Sequence, residues 1–307
     1  MASQSVGEIS ALAETNYRSS VQALGALPEA LSIERFLAHA ASVGRYDDYG
    51  HVPMMAESIV REVDGHLGAE GARRFLRAAL LGAVCFTVRS DRLKRLPPRV
   101  RLQQLGQLGR IASDTDANAD WLDLSADLFR KELGLASLRL YAAGAQLVDP
   151  RCGVPRSFLV RGSVSQLSRR LKIAISLRGF RPFFQIHTHA FMLDAFSETG
   201  WEECYRCCAE LYDLHPETLG MFGASWFYDP AIEEVSPRLA YLRQTPLENG
   251  AHVVFWEDGG SAIHNALATS KSRRELYEAG RYKPTNYMLL WGRERQLHWA
   301  QSTLPDE

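Results

Sequence analysis

The chain has 307 residues, enough for one large domain or two modest ones, and is 46% hydrophobic, 23% charged and 10% aromatic. Thirty-five basic against 36 acidic residues leave a formal charge of −1, which excludes a dominant electrostatic footprint for nucleic acid or an anionic membrane. No run reaches the roughly 18 apolar residues of a membrane span, the N-terminus lacks the apolar core of a secretory leader, and five scattered cysteines make a poor disulfide framework. The expectation is a soluble, reduced, cytoplasmic protein that needs neither membrane nor nucleic acid.

Taken in chain order, IERFLAHAASV reads as a helix, interrupted by GRYDDYGHVP. Pro53 suits the start of the next helix, where its missing N–H costs nothing. Apolar residues in MMAESIVREVDGHL recur at helical spacing, and AEGARRFLRAALLGAVCF reads as a buried partner helix. RSDRLKRLPPRVR is a basic surface connector, and SDTDANAD breaks the following helical stretch. Through residue 134 the chain is predominantly helical.

The character then changes. ASLRLYAAGAQLV reads as a strand or hairpin, and Ser163 or Ser165 caps a helix through SQLSRRLKIAISL. FRPFFQIHTHAFML is a central strand, GWEECYRCCAELYDLH a helix ending before Pro216, and LGMFGASWFY a second strand. Broken helix, the strand AHVVFW, a helix over SKSRRELYEAG and the strand NYMLLWGR complete the chain. The fold class is α+β or α/β: a helical domain or cover over 1–134, then a mixed-sheet catalytic domain over 135–307.

Two skews direct the search for a site. Only five of the 35 basic residues are lysines, and six of nine histidines lie beyond residue 180. The most specific chemical feature is FFQIHTHAF. At a strand period of two, Gln185, His187 and His189 share one face, with Phe184, Ile186 and Thr188 on the other. Two such imidazoles serve as proton-transfer groups or metal ligands. Ser197 and Glu198 follow and either contact substrate or cap a helix. Ser225, Trp226, Tyr228 and Asp229 stand at a strand end, where α/β folds commonly present substrate contacts. In this reading Tyr228 is a general acid and Asp229 binds an amine or orients a histidine. Arg273 and Arg274 open a helix and offer guanidinium forks to an anionic carrier. Cys204, Cys207 and Cys208 share one helix side and read as buried packing.

The order substrate-facing strand, helix, strand, helix in this half resembles the layout of GNAT-like acyltransferases. That resemblance implies acyl transfer from a CoA-like thioester donor or carrier to a small-molecule amine. His187 or His189 would be the base, main-chain donors over 221–227 would hold the oxyanion, and Tyr228 would protonate the thiolate. The glycine-rich pyrophosphate loop of that family is not recognisable before residue 201. The alternatives are a non-haem metal-dependent oxygenase or hydrolase, with iron, zinc or manganese on His187, His189 and Glu198, and a non-catalytic ligand-binding or scaffold protein. The aromatic second half also admits a homo-oligomer.

Overall fold

Ser5 and Glu8 form a capping box at the start of α1 (Val6–Leu24): the Ser5 hydroxyl accepts the Glu8 amide, and the Glu8 carboxylate accepts the Ser5 amide at 2.7 Å. Apolar periodicity does not single out this helix; the S-x-x-E signature does. The computed structural model describes residues 5–42, 49–160 and 164–303. The chain divides into two compact units, Met1–Arg151 with Thr188–Leu193, and Cys152–His187 with Asp194–Glu307.

The first unit continues with α2 (Ile33–Ala40), α3 (Met54–Val88), α4 (Asp91–Lys94), α5 (Pro98–Ser113) and α6 (Asp127–Ala136). The two helices expected over 54–88 are one element broken at Gly68, whose φ of 72° is open to glycine and costly for other residues. Beyond that break every residue from Phe75 to Cys85 is buried, as expected of a helix apolar on all sides. Arg77 is the exception in kind: its guanidinium reaches Asp114 Oδ2 at 2.9 Å, donates to the Asp116 carbonyl and lies over Trp121. An antiparallel hairpin, β1 (Tyr141–Ala143) and β2 (Gln146–Asp149), closes the unit. Gly144, at φ 53°, supplies the left-handed first position of its two-residue turn. The hairpin expected from ASLRLYAAGAQLV therefore groups with the helices.

The second unit holds α7 (Val164–Ser176), β3 (Phe184–His187), α8 (Glu198–Leu214), β4 (Gly220–Ser225), α9 (Ile232–Val235), α10 (Tyr241–Glu248), β5 (His252–Asp258), α11 (Gly260–Leu267), α12 (Lys271–Glu278), β6 (Thr285–Gly292) and α13 (Arg293–Ser302). Its strands run in the order β3-β4-β6-β5. β3 and β4 are parallel; β4–β6 and β6–β5 are antiparallel. A helical N-terminal region followed by a mixed sheet is thus the observed class. Ser163 lies outside the described residues, as does the side chain of Ser165.

Helices cover both faces of this sheet. On one, Ile173 and Leu177 of α7 pack with Phe222, Val254, Met288 and Leu290. On the other, Tyr205 and Tyr212 of α8 and Trp299 of α13 meet Trp291, Phe184 and Gln296. Gln296 is wholly buried and satisfied, donating to the Tyr205 carbonyl and accepting from the Tyr212 hydroxyl at 2.6 Å. Gly220 is fixed by contact: a Cβ there would stand 2.4 Å from the Trp291 carbonyl oxygen on β6. Among the described residues, no helix is long and apolar enough to cross a membrane.

Candidate functional site

The strand expected across 180–193 is shorter, and its end separates the two histidines. β3 stops at His187, and 190–195 turn into 3-10 helix. Within β3 the alternation holds: Phe184 and Ile186 are buried, Gln185 and His187 half-buried. His189 belongs to the first unit and is fully buried there. Side chains replace a ladder partner along this segment. Lys131 Nζ donates to the Thr188 carbonyl at 2.8 Å, and His189 Nδ1 accepts the Phe191 amide at 3.2 Å.

His189 Nε2 stands 2.8 Å from Glu132 Oε1, and Arg110 reaches the same oxygen at 2.6 Å. Arg110 also lies over the Phe191 ring. Burial opposes a charge on Glu132, but the facing His189 and Arg110 outweigh it and hold the carboxyl below its ordinary range. Sequence reasoning missed Glu132 and Arg110, because nothing local in RKEL or LGRIA marks a buried ionic group. Fully buried, with Nδ1 accepting the Phe191 amide and Nε2 facing Glu132, His189 is built into the core of its unit.

In the second unit the structure gathers Trp226, Asp229 and Arg273, with a residue the sequence did not flag, Tyr282. Trp226 follows the end of β4, where Ser225 pairs with Tyr287. The Arg273 guanidinium lies 4.4 Å over the Trp226 ring, donates from Nε to the Ala266 carbonyl at 2.6 Å, and reaches the Ser236 hydroxyl at 3.1 Å. Burial pushes its pKa down. Arg274, exposed, donates to the Leu267 carbonyl at 2.9 Å. Both arginines expected to meet an anion instead satisfy the C-terminal carbonyls of α11 and its cap. Tyr282 is buried, and its hydroxyl has no partner among the described residues. Burial raises its pKa; the Asp229 charge adds to the rise and Arg273 opposes it.

Asp229 accepts the Ala231 amide at 3.0 Å, which is the turn-capping role before Pro230. Burial raises its pKa against the pull of the Ala231 and Thr285 amides and Arg243. Tyr228 is 1% exposed, edge-on to Trp201, with no partner for its hydroxyl among the described residues. Burial, then the neighbouring Cys204 and Cys208, push its pKa far up, so the phenol keeps its proton. Its oxygen lies 3.2 Å from where a Cβ on Gly223 would stand, which places it against β4.

Ser197 is the N-cap of α8, accepting the Gly200 amide at 3.2 Å, and Glu198 is exposed in the first turn. That helix start is capped and carries a carboxylate, which disfavours an anion there. Cys204, Cys207 and Cys208 are fully buried, with no disulfide among the described residues. Among the described residues no three His, Cys, Asp or Glu side chains group to hold a metal ion. Compared with known protein families, with curated proteins and with solved structures, the chain matches none.

Proposed function

We propose that the second unit is an acyltransferase that moves an acyl group from a CoA-like thioester to a small amine. One observation supports this reading above the others. The parallel ladder between β3 and β4 ends at Gln185↔Phe222, while β3 continues to His187 and β4 to Ser225. Gly223, Ala224 and Ser225 therefore extend past the ladder beside the end of β3. Main-chain groups at such an opening suit an extended, amide-bearing arm, which hydrogen-bonds as an added strand does. Donors fixed in a sheet are the preorganised kind that stabilises an oxyanion.

In this reading His187 takes the amine proton as nitrogen attacks the thioester carbon. The N–C bond forms, the C–S bond breaks, and the proton taken up by His187 passes to the departing sulfur. The net proton moves from amine to thiol. The strand-helix-strand order β3-α8-β4, with its parallel pair, is also what the GNAT-like layout implies.

Thiol release from acetyl-CoA, measured against a panel of primary amines, tests the assignment. His187→Gln is expected to lower kcat by about 100-fold or more. Turnover unchanged by this substitution in folded protein, or no acetyl-CoA binding by calorimetry, would overturn it.

A further inference from the structure

At the opposite end of β4 the second unit carries a cleft of about 700 Å³. Its lining includes Arg178, Thr218, His252, Arg293, Glu294 and Arg295, so three guanidinium groups face one carboxylate. The cleft stands five residue steps, about 17 Å along the strand, from Ser225. Asp229, Arg273 and Arg274 play no part in its lining.

Three features of this cleft favour an anion. α13 begins here, and its N-cap, Gly292, supplies no side-chain cap. The Arg293 amide is used by the Leu219 carbonyl at 2.8 Å, which leaves the Glu294 and Arg295 amides of the first turn facing outward at the positive end of the helix. Second, Thr218 is 1% exposed and its hydroxyl meets no partner among the described residues. A buried hydroxyl without a partner costs free energy that a bound oxygen acceptor recovers. Third, the guanidinium groups are held for the purpose to different degrees. Arg293 is anchored on the Pro216 carbonyl at 2.5 Å and over the Tyr212 ring, Arg178 meets Glu294 at 3.0 Å in an exposed pair, and Arg295 has no partner among the described residues. An exposed pair of that kind is worth little and yields readily to a stronger anion. His252 adds no fixed charge: burial, then the neighbouring Arg169, hold its pKa below the ordinary imidazole value.

The geometry points to a binding site for a phosphate-bearing small molecule in this cleft, with phosphate oxygens on the first-turn amides of α13, the Thr218 hydroxyl, and the Arg295 and Arg178 guanidinium groups. Phosphate is preferred over a carboxylate because the donors come from several directions, and a tetrahedral anion accepts from all of them, while the guanidinium forks match its oxygens in pairs. The site does not depend on the acyl-transfer reading, whose residues lie at the other end of β4.

Calorimetric titration of the full chain with inorganic phosphate and with pyrophosphate tests it. Saturable binding is expected, tighter for pyrophosphate and weakening with salt. Arg295→Gln should weaken it at least tenfold and Arg295→Lys by less. Thr218→Val, checked for folding by circular dichroism, should weaken it severalfold. His187→Gln should leave it unchanged, which separates this site from the acyl-transfer assignment. Competition by CoA would identify the phosphates as the donor's own, and its absence would identify a separate phosphorylated ligand; the cleft is the phosphate site in both cases. No saturable binding, or binding indifferent to Arg295→Gln and Thr218→Val, would overturn the proposal.

Discussion

Glu132 shows how much a single buried group depends on its partners. Its carboxylate is 1% exposed and faces His189 and Arg110. Removing one member leaves the others buried without a counter-charge, so Glu132→Gln should cost about 2–3 kcal/mol, at the low end for buried pairs because Arg110 is partly exposed. Urea denaturation measures it. The pH dependence has a definite sign. The folded pKa lies below the unfolded one, so this contribution is complete above the ordinary carboxylate range and is lost as pH falls through the folded value. The stability gap between wild type and Glu132→Gln should therefore close on acidification. The sequence displayed His189 as one of a pair; Glu132 carried no local mark, because a buried ionic contact joins residues 57 positions apart.

At the scale of elements, local rules are legible wherever a backbone group needs a nearby partner. Ser197 caps α8, Ser270 caps α12 and Ser32 caps α2, each accepting an amide three residues on. Ser197→Ala should lower stability by about 1 kcal/mol by thermal or urea unfolding, with the KM for acetyl-CoA unchanged; a raised KM with stability intact would make Ser197 a substrate contact. The same locality explains the strand that ended early. Alternation in FFQIHTHAF is compatible with a strand as far as His189, but where a ladder stops depends on what else can take the backbone hydrogen bonds. Here Lys131 and the His189 ring take them. Arg273 and Arg274 were legible as residues near a helix start, and not as caps of the helix before it, since that depends on how α11 turns into α12.

Across the whole molecule, the cysteine count and spacing argue against a disulfide framework, and all five cysteines are buried, with no disulfide among the described residues. Burial pushes the Cys204 and Cys85 thiols up, so they are poor thiolates as well as inaccessible. An exposed-thiol reagent should label the native protein slowly and all five cysteines after denaturation; rapid stoichiometric labelling of the folded chain would contradict the packing. This also makes the thiol-release assay usable, because the protein contributes little background. The near-zero net charge hides the cleft beside α13, which Arg178, just past the end of α7, lines together with Arg293 and Arg295 although they are more than 110 positions apart in the chain.

What the sequence determined by itself is whatever rests on period, composition and short-range bonding: helices first and mixed sheet after, the break at Gly68, the caps, the buried cysteines, and the shared face of Gln185 and His187. Tertiary structure alone decided which unit claims His189, that Arg273 packs on Trp226, that the β3–β4 ladder opens before Ser225, and that Thr218 lies with three arginines in one cleft. The physical reason is the same in each case. Periodicity assigns a side chain to a face, whereas desolvation, ion pairing and hydrogen-bond satisfaction depend on which distant groups that face meets.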